Sequence, residues 1–166
     1  MKKPQADSPT ALRESLKLFL AVSANEGFEL CAVDIRAAFL QSKGLDREVF
    51  VEPPKDLKKG NIIWRLKKPL YGLDDASRRF WLKVKEIFKD EGMKTLKGDE
   101  AFYFKTEDDK LVGMIITHVD DFTIAGSESF LRRMTERIKK ELTISKIERD
   151  FFRFTGVDIC KNENGT

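Results

Sequence analysis

The chain predicts an α+β fold, an antiparallel sheet in ferredoxin-like (split βαβ) order with helices on one face. Apolar residues recur at helical spacing in three windows, and short β-branched and aromatic runs lie between them. With a small β excursion at about 48–66 set aside, the order that remains is strand–helix–strand–strand–helix–strand. The stretch Leu111–Ser127, LVGMIITHVDDFTIAGS, reads as a central hairpin that carries Asp120 and Asp121 at its tip.

Each element has its own signal. Asp7-Ser8-Pro9-Thr10 offers cap residues and a proline before a periodic run, so a helix is expected over about 10–26. Leu12, Leu16, Phe19, Leu20 and Ala24 share one of its faces, and Gly27 ends it. Phe28–Ile35 (FELCAVDI) reads as a strand with Asp34 near its C-terminal end, and Arg36–Leu40 turns out of it as a short helix. In the excursion, Glu48–Glu52 stops at Pro53-Pro54, Lys58–Asn61 is a charged turn, and Ile62–Leu66 pairs back. Lys67–Leu73 is an irregular link holding Pro69 and Gly72. Asp74 or Asp75 then caps a helix to about Glu91, with Phe80, Trp81, Val84, Ile87 and Phe88 inward. Ala101–Thr106 is a strand, and Glu107–Lys110 turns it into the central hairpin. Ser127 or Ser129 caps a third helix, and Phe151–Cys160 reads as the last strand.

Composition bounds the class. At 166 residues, 41% apolar and 36% charged, with 13 Phe and 2 Trp, the chain can build one core and is not a disordered polymer. No run is long and apolar enough to span a membrane, and the opening MKKPQADSPT has no apolar signal region. Cys31 and Cys160 follow no ligand spacing, so buried free thiols in an intracellular, reducing setting are expected. Net charge is only +3, yet Pro53–Lys97 holds 13 Lys and Arg against 6 Asp and Glu. A basic middle fits a one-sided contact with phosphates, and it fits plain solubility as well.

Asp120-Asp121 followed by Phe122 is poor turn chemistry, because tight hairpins favour Asn-Gly or Asp-Gly. Paired carboxylates on rigid elements can hold a hard cation such as Mg²⁺, which keeps open positions for substrate phosphates. They can also merely solvate a loop. In the split βαβ layout the Asp34 strand and the hairpin become neighbours, so three carboxylates could converge on an open sheet face.

Four segments together resemble the reverse transcriptases of Ty1/copia-type retrotransposons over about Ser8–Ile159. AVDIRAAFLQ is similar to the family's first carboxylate motif, KPLYGLDDASRRFW to its central link into the palm helix, THVDDF to its double-Asp hairpin, and FFRFTGVDI to the strand ending the palm. The resemblance implies a polymerase palm with part of the fingers (the helix at about 10–26 and the excursion at about 48–66), acting as an RNA-directed DNA polymerase. It implies Asp34, Asp120 and Asp121 as catalytic ligands of two Mg²⁺ ions that serve phosphoryl transfer. Primed RNA or DNA template and deoxynucleoside triphosphates would be the partners, together with fingers, thumb and RNase H regions of a parent polyprotein expected to lie outside this chain. The cytoplasm, in virus-like particles for an intact element, or the nucleus would be the setting, with no membrane partner.

Other residues take roles from the same resemblance. Phe39 would pack under the sugar and disfavour a 2′-hydroxyl, or simply fill space beneath the short helix. Tyr71 and Gly72 would border the nucleotide pocket, or be a packed tyrosine beside a turn glycine. Arg78 and Arg79 could contact template phosphates, or sit on a solvated helix face. His118 could touch the primer, while Trp81 is expected in the core. A non-catalytic palm remnant that binds nucleic acid or protein is the alternative function. A nucleotidyl cyclase of similar fold gives no reason for KPLYGLDDASRRFW.

Overall fold

A computed structural model describes residues 6–161. Its frame is a six-stranded antiparallel sheet. In chain order the elements are α1 (Arg13–Asn25), β1 (Glu29–Ile35), β2 (Phe50–Val51), β3 (Trp64–Arg65), α2 (Ala76–Asp90), β4 (Lys94–Leu96), β5 (Asp99–Glu107), β6 (Lys110–His118), β7 (Asp121–Gly126), α3 (Glu128–Glu141), β8 (Ile144–Arg149), β9 (Phe151–Phe154) and β10 (Val157–Cys160). The sheet runs β4-β5-β6-β7-β1-β8, while β2-β3 and β9-β10 are separate two-stranded ribbons.

Both sheet faces are covered, which corrects the expectation of helices on one face. Cys31, Val33 and Ile35 of β1 point to α2 and α3, where they join Phe80, Val84, Phe122, Leu131 and Met134 in one core. The opposite residues of the sheet, among them Phe102, Met114 and Ile116, pack with Leu16 and Phe19 of α1 and with Phe152, Phe154 and Ile159 of the β9-β10 ribbon. The cause is visible in β6, where Gly113–Thr117 are all buried: a strand apolar on both sides needs a cover on both sides.

α1 starts later than its cap residues suggest. Ala11 N–H donates to the Thr117 carbonyl (3.1 Å) and Leu12 N–H to the Asp99 carboxylate (3.0 Å), so a buried acid on β5 receives the start of the helix. Gly27 at φ +62° closes α1 as expected. α3 is capped by Ser127, whose Oγ accepts from Phe130 N–H at 3.2 Å. The Phe130 ring then lies over Gly113 and Gly126, which are paired across β6 and β7. A Cβ on Gly113 would stand 2.3 Å from that ring, and one on Gly126 2.6 Å, so two opposed glycines form the slot that seats α3.

The C-terminal part departs most from the sequence reading. The sheet strand beside β1 is β8, and Phe151–Cys160 folds into a ribbon instead of one strand. Thr155 (φ +46°) and Gly156 (φ +81°) make its turn. β8 was hidden because it is an edge strand of exposed, alternately charged residues. β4, also unforeseen, forms the other edge. Cys31 is buried and its thiol is pushed up to about 11 by that burial, whereas Cys160 is exposed, contrary to expectation. Among the described residues no helix is long and apolar enough to cross a membrane.

Candidate active site

The site is a row across the sheet. His118 of β6 lies opposite Asp121 of β7, Asp121 opposite Asp34 of β1, and Asp34 opposite Lys146 of β8. Strand alternation turns these residues away from α2 and α3. The β6-β7 turn is only Val119-Asp120, so Asp121 belongs to the ladder rather than to the tip. Val119 adopts φ +56°, costly for a β-branched residue, while packing against the α2–α3 core. The Asp120 carbonyl accepts from Ile35 N–H at 3.0 Å, which ties the hairpin tip to the end of β1.

Three carboxylates are therefore neighbours at one end of the sheet, near enough for their charges to act on one another. The Asp34 carboxyl is raised above its usual range by desolvation and then by Asp120. Asp121 is raised by desolvation, Asp120 and Asp34, against a lowering by His118. Lys146 is engaged elsewhere, 2.7 Å from Glu148, and none of the three aspartates forms an ion pair among the described residues. No group of three His, Cys, Asp or Glu side chains already stands in cation-holding geometry among those residues. The donor chemistry nonetheless fits a hard cation: carboxylate oxygens on the adjacent strands β1 and β7 and in the β6-β7 turn, mutually repelling and without an ion-pair partner among the described residues.

The remaining expected residues divide. Tyr71 stands over the site, two-thirds exposed, its hydroxyl donating to Asp120 Oδ2 at 3.3 Å. Desolvation and the Asp120 charge hold that phenol above its usual range. Phe39 is buried, its ring centroid 4.3 Å from that of Tyr71, so it supports the tyrosine from below. Gly72 is required by φ +95° rather than by close approach, because a Cβ there would meet no atom within 4 Å. His118 is partly buried, and its Nδ1 has no hydrogen-bond partner among the described residues.

The two arginines are occupied. Arg78 donates to the Asp7 carbonyl (3.0 Å) and sits 5.5 Å from the centre of the Trp81 ring, which is in the core as expected. Arg79 bonds Asp75, Asp46 and the Gly44 carbonyl. It is not a solvated side chain, being largely covered. Asp75, expected as a helix cap, makes no cap bond; its buried carboxylate accepts from Arg47 (2.5 and 2.9 Å) and from Arg79 Nε (2.6 Å). Sequence reasoning missed this clamp because it joins a loop to a helix through charges that alone look like surface. It also missed Ser145, which bonds Asp34, since nothing local to β8 marks it.

A family model described as reverse transcriptase (RNA-dependent DNA polymerase) matches residues 3–166. The chain belongs to this reverse transcriptase family. Similar proteins include the Retrovirus-related Pol polyprotein from transposon TNT 1-94 of Nicotiana tabacum, 28% identical over 127 residues, covering 75% of this chain and 10% of that protein. The corresponding polyprotein from transposon RE2 of Arabidopsis thaliana is 24% identical over 161 residues, 95% of this chain and 11% of its own length. The Transposon Ty1-ER2 Gag-Pol polyprotein of Saccharomyces cerevisiae is 27% identical over 96 residues, 57% of this chain and 5% of its own. No solved structure matches. The chain is thus a copia-type reverse transcriptase fragment, spanning about a tenth of the length of the first two polyproteins.

Proposed function

We propose that this reverse transcriptase fragment is the palm, with the base of the fingers, of an RNA-directed DNA polymerase that extends a primer 3′-hydroxyl. The observation that supports it best is the register that sets Asp121 opposite Asp34, with Asp120 in the adjoining turn. The order β8-β1-β7-β6, with α2 and α3 on one face, supports a ferredoxin-like core within a larger sheet. Asp34, Asp120 and Asp121 would hold the divalent ions. Bound there, two Mg²⁺ ions would supply activation of the attacking hydroxyl and neutralisation of charge on the leaving pyrophosphate. The chain's own part is positioning: adjacent strands fix the spacing of the carboxylates, while Phe39 and Tyr71 with Gly72 form an aromatic wall for the incoming nucleotide. His118 flanks the row on the β6 side as a candidate primer contact. Arg78 and Arg79, being engaged internally, are proposed to shape the link into α2, with phosphate contact secondary. Template, triphosphates and the other regions of a parent polyprotein are the proposed partners, in cytoplasmic particles.

The test is primer extension on poly(rA)/oligo(dT) with Mg²⁺, comparing the chain with Asp120→Asn. Extension should fall by at least about a hundredfold in the variant, as expected when a group that stabilises developing charge is removed. Equal extension by both proteins would sink the assignment of Asp120. Absence of extension from both would leave the alternative, a palm-fold binding module.

A further inference from the structure

β8 carries one residue more than β1 can pair. Asp34 lies opposite Lys146 and Ile35 opposite Ile144, so Ser145 is left over as a β-bulge. A bulged residue drops out of the ladder and its side chain takes a new direction, a device common beside active sites. Here the new direction is Asp34. Ser145 Oγ donates to Asp34 Oδ2 and stands 3.1 Å from the Asp34 carbonyl oxygen. A hydroxyl has one proton to give, and the charged carboxylate is the stronger acceptor of the two.

The bond comes from 111 positions away in the chain, from the edge strand whose Lys146 also lies opposite Asp34. It fastens one carboxylate oxygen to β8, while Asp34 Oδ1 has no protein donor among the described residues. Lys146 bonds Glu148 at 2.7 Å and reaches the Asp34 carboxylate only through its charge. We propose that Ser145 is a positioning residue for Asp34, its hydroxyl holding the carboxylate in the orientation that takes a divalent cation. This rests on the polymerase reading above. Ser145 itself is exposed on an edge strand, so the role demands a hydroxyl there and little from packing.

Mn²⁺ alone is the probe, its free concentration followed by electron paramagnetic resonance during titration of the whole 166-residue chain. Wild type, Ser145→Ala, Ser145→Thr and Asp34→Asn are compared, with thermal midpoints taken in parallel. Ser145→Ala should bind Mn²⁺ roughly three- to tenfold more weakly, the worth of one hydrogen bond, at an unchanged midpoint. Ser145→Thr, which keeps the hydroxyl, should restore binding. Equal or tighter binding by Ser145→Ala, with Asp34→Asn still weakened, would overturn the positioning role and leave the metal reading standing. Failure of wild type to bind Mn²⁺, or binding indifferent to Asp34→Asn, would remove the metal reading and the role of Ser145 with it.

Discussion

At the scale of single residues, Asp75 is a buried charge that joins the Arg47 loop to the start of α2. Its carboxylate is buried and receives three N–H donors from Arg47 and Arg79, which hold its pKa well below the usual 3.8, hydrogen bonding from Arg47 being the first cause. A carboxylate lowered on folding stabilises the native state fully above its unfolded pKa, and the contribution fades as pH falls below that value. Asp75→Asn should therefore cost about 2 kcal/mol at pH 7, in the range of charge-assisted hydrogen bonds. In urea unfolding, the gap between wild type and variant should narrow as pH is taken from 5 to about 3; a gap constant over that range would show that the clamp is not ionic. Tyr71 makes a second prediction at this scale. Tyr71→Phe keeps the ring on Phe39 and loses the bond to Asp120, so stability should change by under about 0.5 kcal/mol, as at other exposed sites. A larger loss would mean the hydroxyl is part of the fold. That Asp34 and the Asp120-Asp121 hairpin are neighbours was legible in the sequence, through the order of the elements that carry them. Ser145 and the Arg47–Asp75–Arg79 clamp were not, because their meaning lies in a partner far along the chain.

At the scale of elements, helix and strand were readable wherever one side of the element is apolar and the other polar. α2 and α3 have that pattern, and they stand close to where their periodicity put them. β8 and β4 lack it, as edge strands do, and both escaped notice. The seat of α3 offers a direct test. Gly113→Ala puts a methyl 2.3 Å from the Phe130 ring and should destabilise by about 1–3 kcal/mol, the usual cost of overpacking. In a Phe130→Ala background the same substitution should cost far less, since the two residues share one space. Additive losses would mean that the glycine is kept for its backbone rather than for the ring.

At the scale of the whole molecule, the sheet joins two cores, and the row of aspartates lies at the end of its central strands. The β2-β3 ribbon stands apart, with Phe50, Ile62, Ile63 and Trp64 largely exposed and only two paired positions. Isolated two-stranded ribbons are barely stable in water, so its amides should exchange with solvent near the unprotected rate while those of β1, β6 and β7 exchange slowest. Slow exchange in the ribbon would reveal that something covers it in solution. The sequence by itself determined the α+β class with its antiparallel sheet and the order of the principal elements. These depend on periodicities and motifs within a dozen residues of one another. Only the tertiary structure decided that both faces of the sheet are covered, that β8 rather than Phe151–Cys160 flanks β1, and that a bulge turns Ser145 onto Asp34. Those outcomes follow from strand register and from competition for a shared core, which are properties of contacts between distant segments and leave no local pattern to read.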